Sequence, residues 1–331
     1  MRGKNNWQRT ESIFDKINLF IKKGKLQPWY WIYRFRWNYV PKLFYETSFP
    51  TEMIIEVSSL CNLKCLMCFR NYLPKETKYS NMEFKVFQKI INECRKEGIA
   101  AVKLSWRGES LLNKDFVKMV AYAKKAGIEE VSTLTNATCL TPEVAQGLID
   151  KGLDQIIISV DGVTKETYEK VRRGANFERV ITNINKLIEL KNNKPLIRLQ
   201  ITEIPENKDE IQDFVKEWRG KVDEIAISGF IDYSYIDEEQ DPKVQEGLKK
   251  AKGRLPCPSL WQRLAIMADG TVTVCCIDVQ GKLALGNVKD RSIKSMWQSY
   301  TLHNLRKIHK ARNLDSIEAC RKCNARITYK F

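Results

Sequence analysis

From residue 51 onward, short runs of β-branched residues alternate six times with amphipathic stretches, and this alternation limits the fold more than any other feature of the chain. The runs are 51–57, 101–106, 130–134, 155–160, 196–202 and 224–228, with helical patterns at 84–97, 115–126, 142–151, 177–191 and 208–219. Gly98, Gly127, Gly152 and Gly220 stand at four helix ends, where the backbone needs φ > 0, and Pro142 sits at a helix start, where its missing N–H costs nothing. Strands as apolar as Ile156-Ile157-Ile158 predict a parallel sheet covered by helices. Six such units make either an open doubly wound sheet or a partial barrel. In both, the active site lies at the carboxyl ends of the strands.

After Ser228 the alternation stops. Residues 231–254 read as a linker with one helix near 242–252, followed by a cysteine-bearing module at 255–331. That module contains a predicted hairpin (264–267, an Ala268-Asp269-Gly270 turn, 271–275) and a helix near 295–310. Residues 1–50 stand apart from the body at 51–230, with an amphipathic helix at 12–23 and then the run Trp29-Tyr30-Trp31-Ile32-Tyr33-Arg34-Phe35-Arg36-Trp37-Asn38-Tyr39. Such a run packs across the barrel and closes an edge, or contacts a membrane surface, or, least favoured, stacks on nucleic acid.

No stretch approaches the ~20 apolar residues of a membrane span, and no secretory signal opens the chain, so it reads as cytoplasmic. Ten cysteines in a reducing compartment then point to metal binding or catalysis rather than disulfides. Charge is concentrated at the two ends. Residues 1–50 hold 10 Lys/Arg against 3 Asp/Glu and residues 281–331 hold 12 against 3, while the body between them is neutral. Basic ends on a neutral body suggest an added contact surface.

The first thiol group, Cys61-Asn62-Leu63-Lys64-Cys65-Leu66-Met67-Cys68, follows directly on the first strand. Three thiolates cannot close a tetrahedral zinc site, but they can hold three irons of a four-iron cluster and leave the fourth open. This spacing, at the head of six strand-helix units, strongly resembles the radical S-adenosylmethionine superfamily. Further matches run in strand order. Trp106-Arg107-Gly108-Glu109-Ser110-Leu111-Leu112 is similar to that family's Gly-x-Gly-Glu-Pro-Leu-Leu segment, with Trp106 and Ser110 replacing Gly and Pro. Thr135-Asn136-Ala137 resembles its Thr-Asn-Gly turn, and Ser159-Val160-Asp161-Gly162 ends the fourth strand, with Arg172 downstream. The resemblance implies a partial (β/α)6 TIM-like barrel of the α/β class. It also implies a cluster on Cys61, Cys65 and Cys68 whose open iron chelates S-adenosylmethionine, and cofactor contacts from Gly108, Glu109, Asn136, Ser159 and Arg172, with Asp161 reaching ribose or substrate.

Cys257, Gly270, Cys275 and the pair Cys320-Arg321-Lys322-Cys323 supply four thiolates, which read by themselves as a closed site for zinc or an iron-sulfur cluster. The arrangement resembles the SPASM and twitch modules of the superfamily, in the shorter form with one auxiliary cluster on Cys257, Cys275, Cys320 and Cys323. Cys276 is then spare, packing as a small apolar residue or replacing Cys275, and Cys94 is core. A zinc-ribbon protein that binds nucleic acid is the reading from another class.

The resemblance implies that a 5′-deoxyadenosyl radical abstracts hydrogen from a substrate, leading to dehydrogenation if the auxiliary cluster takes an electron, or to epimerisation if a thiol returns a hydrogen. Cys139, just beyond Asn136, is the candidate donor. Short relatives point to a polar, carbohydrate-like small molecule, with a peptide as runner-up, and to a flavodoxin- or ferredoxin-like electron donor. His303 and His309 fall in a basic helix and read as surface.

Overall fold

A computed structural model describes residues 27–233, 236, 246 and 256–323. Apart from residue 246, which is helical, the linker helix expected near 242–252 lies outside the described residues, as does the helix at 12–23. Helix α1 (Pro28–Tyr39) precedes the alternating body: β1 (Glu52–Ile55), α2 (Phe84–Lys96), β2 (Ala101–Lys103), α3 (Phe116–Lys125), β3 (Glu130–Thr135), α4 (Pro142–Asp150), β4 (Gln155–Ser159), α5 (Lys165–Val171), α6 (Phe177–Leu190), β5 (Leu196–Glu203), α7 (Ile211–Trp218) and β6 (Glu224–Gly229). There follow α8 (Ser259–Gln262), β7 (Arg263–Ile266), β8 (Thr271–Thr273), β9 (Ala284–Asn287), α9 (Ile293–Trp297), α10 (Tyr300–Lys310) and α11 (Glu318–Arg321). The one helix expected at 295–310 is two, because the Ser299 hydroxyl accepts from the Leu302 N–H and starts a second one.

The strands lie in the order β6-β5-β4-β3-β2-β1-β7-β8-β9. All pairs from β6 to β7 are parallel, β7-β8-β9 is antiparallel, and β6 and β9 are left as edges, so the barrel is partial. Its helix-facing side supplies the main core, with Met53, Ile55, Val102, Val131, Ile156, Ile158, Ile197 and Leu199 buried against the helices. Side chains alternate across a strand. Glu52, Lys103, Gln155, Arg198, Glu224 and Arg263 therefore face inward. Two ion pairs match the strand register there: Arg198 opposite Glu224 at 2.7 Å and Arg263 opposite Glu52 at 3.6 Å.

The cysteine-bearing module does not hang from the barrel by its linker, because β7 continues the barrel sheet beside β1. A buried ion pair fixes the junction. Arg107 grips Glu56 through two 2.7 Å hydrogen bonds, Nε to Oε1 and Nη2 to Oε2, and its Nη1 donates to the Val279 carbonyl at 2.9 Å. Glu56 also accepts from the Ala268 N–H at 2.9 Å, so one carboxylate ties β1, the loop after β2 and the hairpin together.

Helix α1 and the segment after it also meet the barrel and the C-terminal module. Tyr33 of α1 is buried beneath the sheet, Gln262 donates to the Trp37 carbonyl at 2.8 Å, and the Arg263 guanidinium lies 4.5 Å from the Trp37 ring. Glu46 accepts from Arg306 of α10 at 2.9 Å, and the Trp297 indole donates to the Thr47 carbonyl at 2.6 Å.

Breaking a buried ion pair from one side costs about 3–5 kcal/mol, because the remaining charge is stranded. Arg107→Met should destabilise the protein by that amount in chemical denaturation, and Glu56→Gln added to it should recover a large part. Equal stability of the single variant and the native chain would show that the junction rests elsewhere.

Candidate active site

The loop after β1 carries Cys61, Cys65 and Cys68, each partly exposed and none in a disulfide. It is strapped on two sides. The Lys64 and Leu66 N–H groups donate to the carbonyls of Arg173 and Val171 at 2.9 Å each, beside the end of α5, and the Asn71 side chain holds the Cys65 carbonyl at 2.9 Å. On the other side Asn62 donates to the Thr138 hydroxyl at 2.8 Å and accepts from Asn136 at 3.1 Å. Burial raises the pKa of all three thiols, that of Cys68 to about 11. A bound cation such as iron lowers a thiol pKa and favours the thiolate. Among the described residues no three metal-ligating side chains converge closely enough for a single ion, whereas the ligands of a cluster stand further apart.

Gly108 packs so closely beneath this loop that a Cβ there would lie 2.4 Å from the carbonyl oxygens of Ser58 and Leu60. Its neighbour Glu109 is buried, donates its N–H to the Leu60 carbonyl at 2.7 Å, and accepts from the Thr135 hydroxyl and the Asn136 N–H at 2.7 Å and from the Leu111 N–H at 3.1 Å. Burial nonetheless raises its pKa, with those three donors acting to lower it. Three donors leave acceptor capacity on a carboxylate for one more partner.

Ser159 ends β4 with its side chain on the inner side, and Arg172 approaches from the end of α5, its Nη1 3.9 Å from Cys65 Sγ. Asp161 accepts from Arg172 (Nε at 2.7 Å, Nη2 at 2.6 Å) and from the Thr202 N–H at 2.6 Å, so it aims the guanidinium. Burial alone would depress the Arg172 pKa; Asp161 and Cys65 overcome it and raise it. This positioning role stands beside the contact with ribose or substrate that the resemblance implies. Cys139 is partly exposed, with its sulfur 3.8 Å from the Thr138 hydroxyl at the same rim.

In the C-terminal module, Cys257, Cys275, Cys320 and Cys323 line one cavity, walled by Leu260, Val274 and Ile277. The Ile277 N–H donates to Cys275 Sγ at 3.3 Å, as an amide does to a metal-bound thiolate. Cys276 is not among the lining residues. Its pKa is lowered, chiefly by a hydrogen bond from Cys275 and then by Arg263 and Lys103, both on the inner side of the barrel. Cys276 is partly exposed. Trp106, which stands where the related motif has glycine, donates its indole N–H to the Cys276 carbonyl at 2.7 Å and so joins the loop after β2 to this module. His309 corrects the surface expectation, since it is buried and lines the same cavity; His303 keeps to the surface beside Glu46 at 3.0 Å. Cys94 is buried in the core.

Lys103 had no motif to mark it. Its pKa is lowered by burial and acted on by Glu52, Arg263 and Arg198, the inward-facing charges of the barrel. The parity of the strand, with Val102 in the helix-facing core, was the only signal in the sequence for it.

Ala137 occupies the glycine position of the turn after β3 at φ 58°, fully buried. A β-branched residue is strained in that region and would overfill the site, so Ala137→Val should cost roughly 2 kcal/mol or more, read from thermal unfolding. No loss would place the turn outside the constrained part of the site.

The family model described as the radical SAM superfamily matches residues 55–217, and the SPASM model, described as an iron-sulfur cluster-binding domain, matches residues 257–324. The second match overturns the zinc-ribbon reading. A probable GTP 3′,8-cyclase of Methanosarcina mazei is 29% identical over 66% of this chain and 67% of its own length. One of Methanococcus maripaludis is 33% identical over 41% and 45%, and the GTP 3′,8-cyclase of Listeria welshimeri is 32% identical over 55% and 54%. The chain thus spans about half the length of two of these three relatives. Among solved structures, BtrN in complex with AdoMet and 2-DOIA superposes with a TM-score of 0.57 at 16% identity, over 83% of this chain and 92% of BtrN. Streptococcus suis SuiB bound to S-adenosylmethionine superposes with a TM-score of 0.64 at 15% identity, over 81% and 70%. These two share the fold. The chain belongs to the radical SAM superfamily with a C-terminal SPASM domain, and its cofactors are S-adenosylmethionine and two four-iron clusters.

Proposed function

We propose that this radical SAM enzyme acts on a polar, carbohydrate-like small molecule in the cytoplasm, and that dehydrogenation is its reaction, with epimerisation as the alternative outcome of the same hydrogen abstraction. The observation that carries this reading is the cavity shared by Cys257, Cys275, Cys320 and Cys323, joined to the loop after β2 by Trp106 and Arg107. When bound, S-adenosylmethionine and the two clusters supply a 5′-deoxyadenosyl radical for hydrogen abstraction and a one-electron acceptor for the substrate radical.

The remaining work falls to the protein's own side chains. Cys61, Cys65 and Cys68 hold the first cluster, and Cys257, Cys275, Cys320 and Cys323 the second. Glu109 pairs with the methionyl ammonium, Arg172 with the carboxylate through parallel hydrogen bonds, Ser159 assists it, and Asn136 and Gly108 shape the backbone around the ligand. Cys139 is the thiol for epimerisation. Glu52, Arg263, Arg198 and Glu224 are paired with one another toward the amino ends of the strands and stand apart from the entrance that a polar substrate would use. The named activity of the relatives, GTP cyclisation, is consistent with an anionic nucleotide as one such substrate. A peptide is the second class, favoured by the fold shared with SuiB, which has been solved bound to its precursor peptide SuiA. The basic C-terminal region suits an acidic flavodoxin- or ferredoxin-like donor.

Anaerobic incubation with S-adenosylmethionine and candidate metabolites in deuterated water tests the reaction. A loss of two hydrogens supports dehydrogenation, whereas solvent deuterium at an inverted carbon supports epimerisation and removes the electron-acceptor role.

Replacing Cys61, Cys65 and Cys68 together by Ala should abolish 5′-deoxyadenosine formation while retaining about half the iron, since the second cluster has separate ligands. Unchanged iron content would reject the first set. The raised pKa of Glu109 keeps its carboxyl protonated to a higher pH than an exposed glutamate, and a protonated carboxyl cannot pair with an ammonium. S-adenosylmethionine affinity should therefore weaken as pH falls through that raised value, and Glu109→Gln should weaken it and flatten the pH dependence. A pH profile identical in both proteins would remove Glu109 from the site.

A further inference from the structure

We infer that helix α1 and the turn after it form a docking surface for an anionic lipid bilayer. The inner side of α1 is committed to the barrel through the buried Tyr33 and through Trp37, whose ring and carbonyl are held by Arg263 and Gln262. The opposite side faces outward. Trp31, Ile32, Phe35 and Tyr39, spaced along one helical stripe, are each more than half exposed, and Leu43 and Tyr45 beyond the helix are too.

Three features select the partner. The stripe mixes aliphatic residues with Trp, Tyr and Phe, the rings that settle at the headgroup boundary of a bilayer. No acidic residue occurs between Pro28 and Tyr45, and the exposed Lys42 ammonium lies 5.7 Å from the Tyr39 ring, while Arg36 donates to the Phe49 carbonyl at 3.3 Å and Arg34 faces the amino ends of the strands. Residues 1–26, which lead directly into α1, carry 7 Lys/Arg against 2 Asp/Glu, so the stripe is joined in sequence to further positive charge. An apolar stripe with Lys42 at its end and basic sequence before it complements a surface with an apolar interior and anionic headgroups. Among the described residues no helix is long and apolar enough to cross a membrane, so the contact lies on the surface and does not span it. The active site opens at the carboxyl ends of the strands, whereas α1 packs beside their amino ends, at Glu130, Gln155 and Leu196, so a docked protein would keep its substrate entrance facing the aqueous side.

The test is co-sedimentation of the full-length protein with phosphatidylcholine vesicles, alone or containing phosphatidylglycerol. The protein should bind the anionic vesicles and release as salt shortens the screening length from ~10 Å at 0.1 M to ~3 Å at 1 M. Trp31→Glu combined with Phe35→Glu should reduce that binding at least tenfold while 5′-deoxyadenosine formation in solution stays unchanged, because both side chains lie outside the catalytic machinery. Three results would overturn the proposal: no sedimentation with anionic vesicles at low salt, equal binding by the double variant, or a concentration-dependent dimer that the double variant dissolves without any vesicle binding. The last would assign the stripe to a second copy of the chain.

Discussion

The buried pair between Arg107 and Glu56 sets the relation between the two halves of this enzyme. Burying two charges is unfavourable unless their geometry is good and their remaining hydrogen-bonding capacity is used. Here both conditions hold, because the fork of Arg107 meets both oxygens of Glu56 while Val279 and Ala268 take up what is left over. Arg107 immediately precedes Gly108 and Glu109, so the junction and the cofactor segment are consecutive residues of one loop. Any displacement of the SPASM domain is thereby transmitted to the backbone that packs beneath the cysteine loop.

The electrostatics of the site arise from partial burial. Burial raises the thiol pKa values of the cysteine loop, and a bound cation such as iron would favour the thiolate forms. Arg172 stays positive beside Cys65 because Asp161 lies beneath it, and Asp161 is itself fixed by the Thr202 N–H of β5. A cation held in this way offers its free edge to an anionic ligand without reorganising, which is the geometric basis of carboxylate binding at such a place.

Helix α1 shows how one element can serve two environments. Its inner residues pack beneath the sheet at the end remote from the cysteine loop, while segment 46–48 is clasped by α9 and α10 of the C-terminal module. Glu46 faces His303 and Arg306, which joins the segment after α1 to α10.

The order of strands and helices, the cysteine loop and the placing of Glu109 and Arg172 beside it were legible in the sequence, because each depends on local periodicity or on spacing within a few residues. Cys257, Cys275, Cys320 and Cys323 could be grouped by spacing, but their meeting at one cavity is a tertiary fact. Four other points were decided only by packing between distant segments: that β7 would extend the barrel sheet, that Trp106 would hold Cys276, that Asp161 would pair with Arg172, and that His309 would be buried. The inward charges, Lys103 foremost, belong to neither group cleanly. Strand parity encodes which residues share a face, but only the curvature of the sheet decides that this face is an interior, because a flat sheet of the same sequence would leave it to solvent or to a second layer of helices.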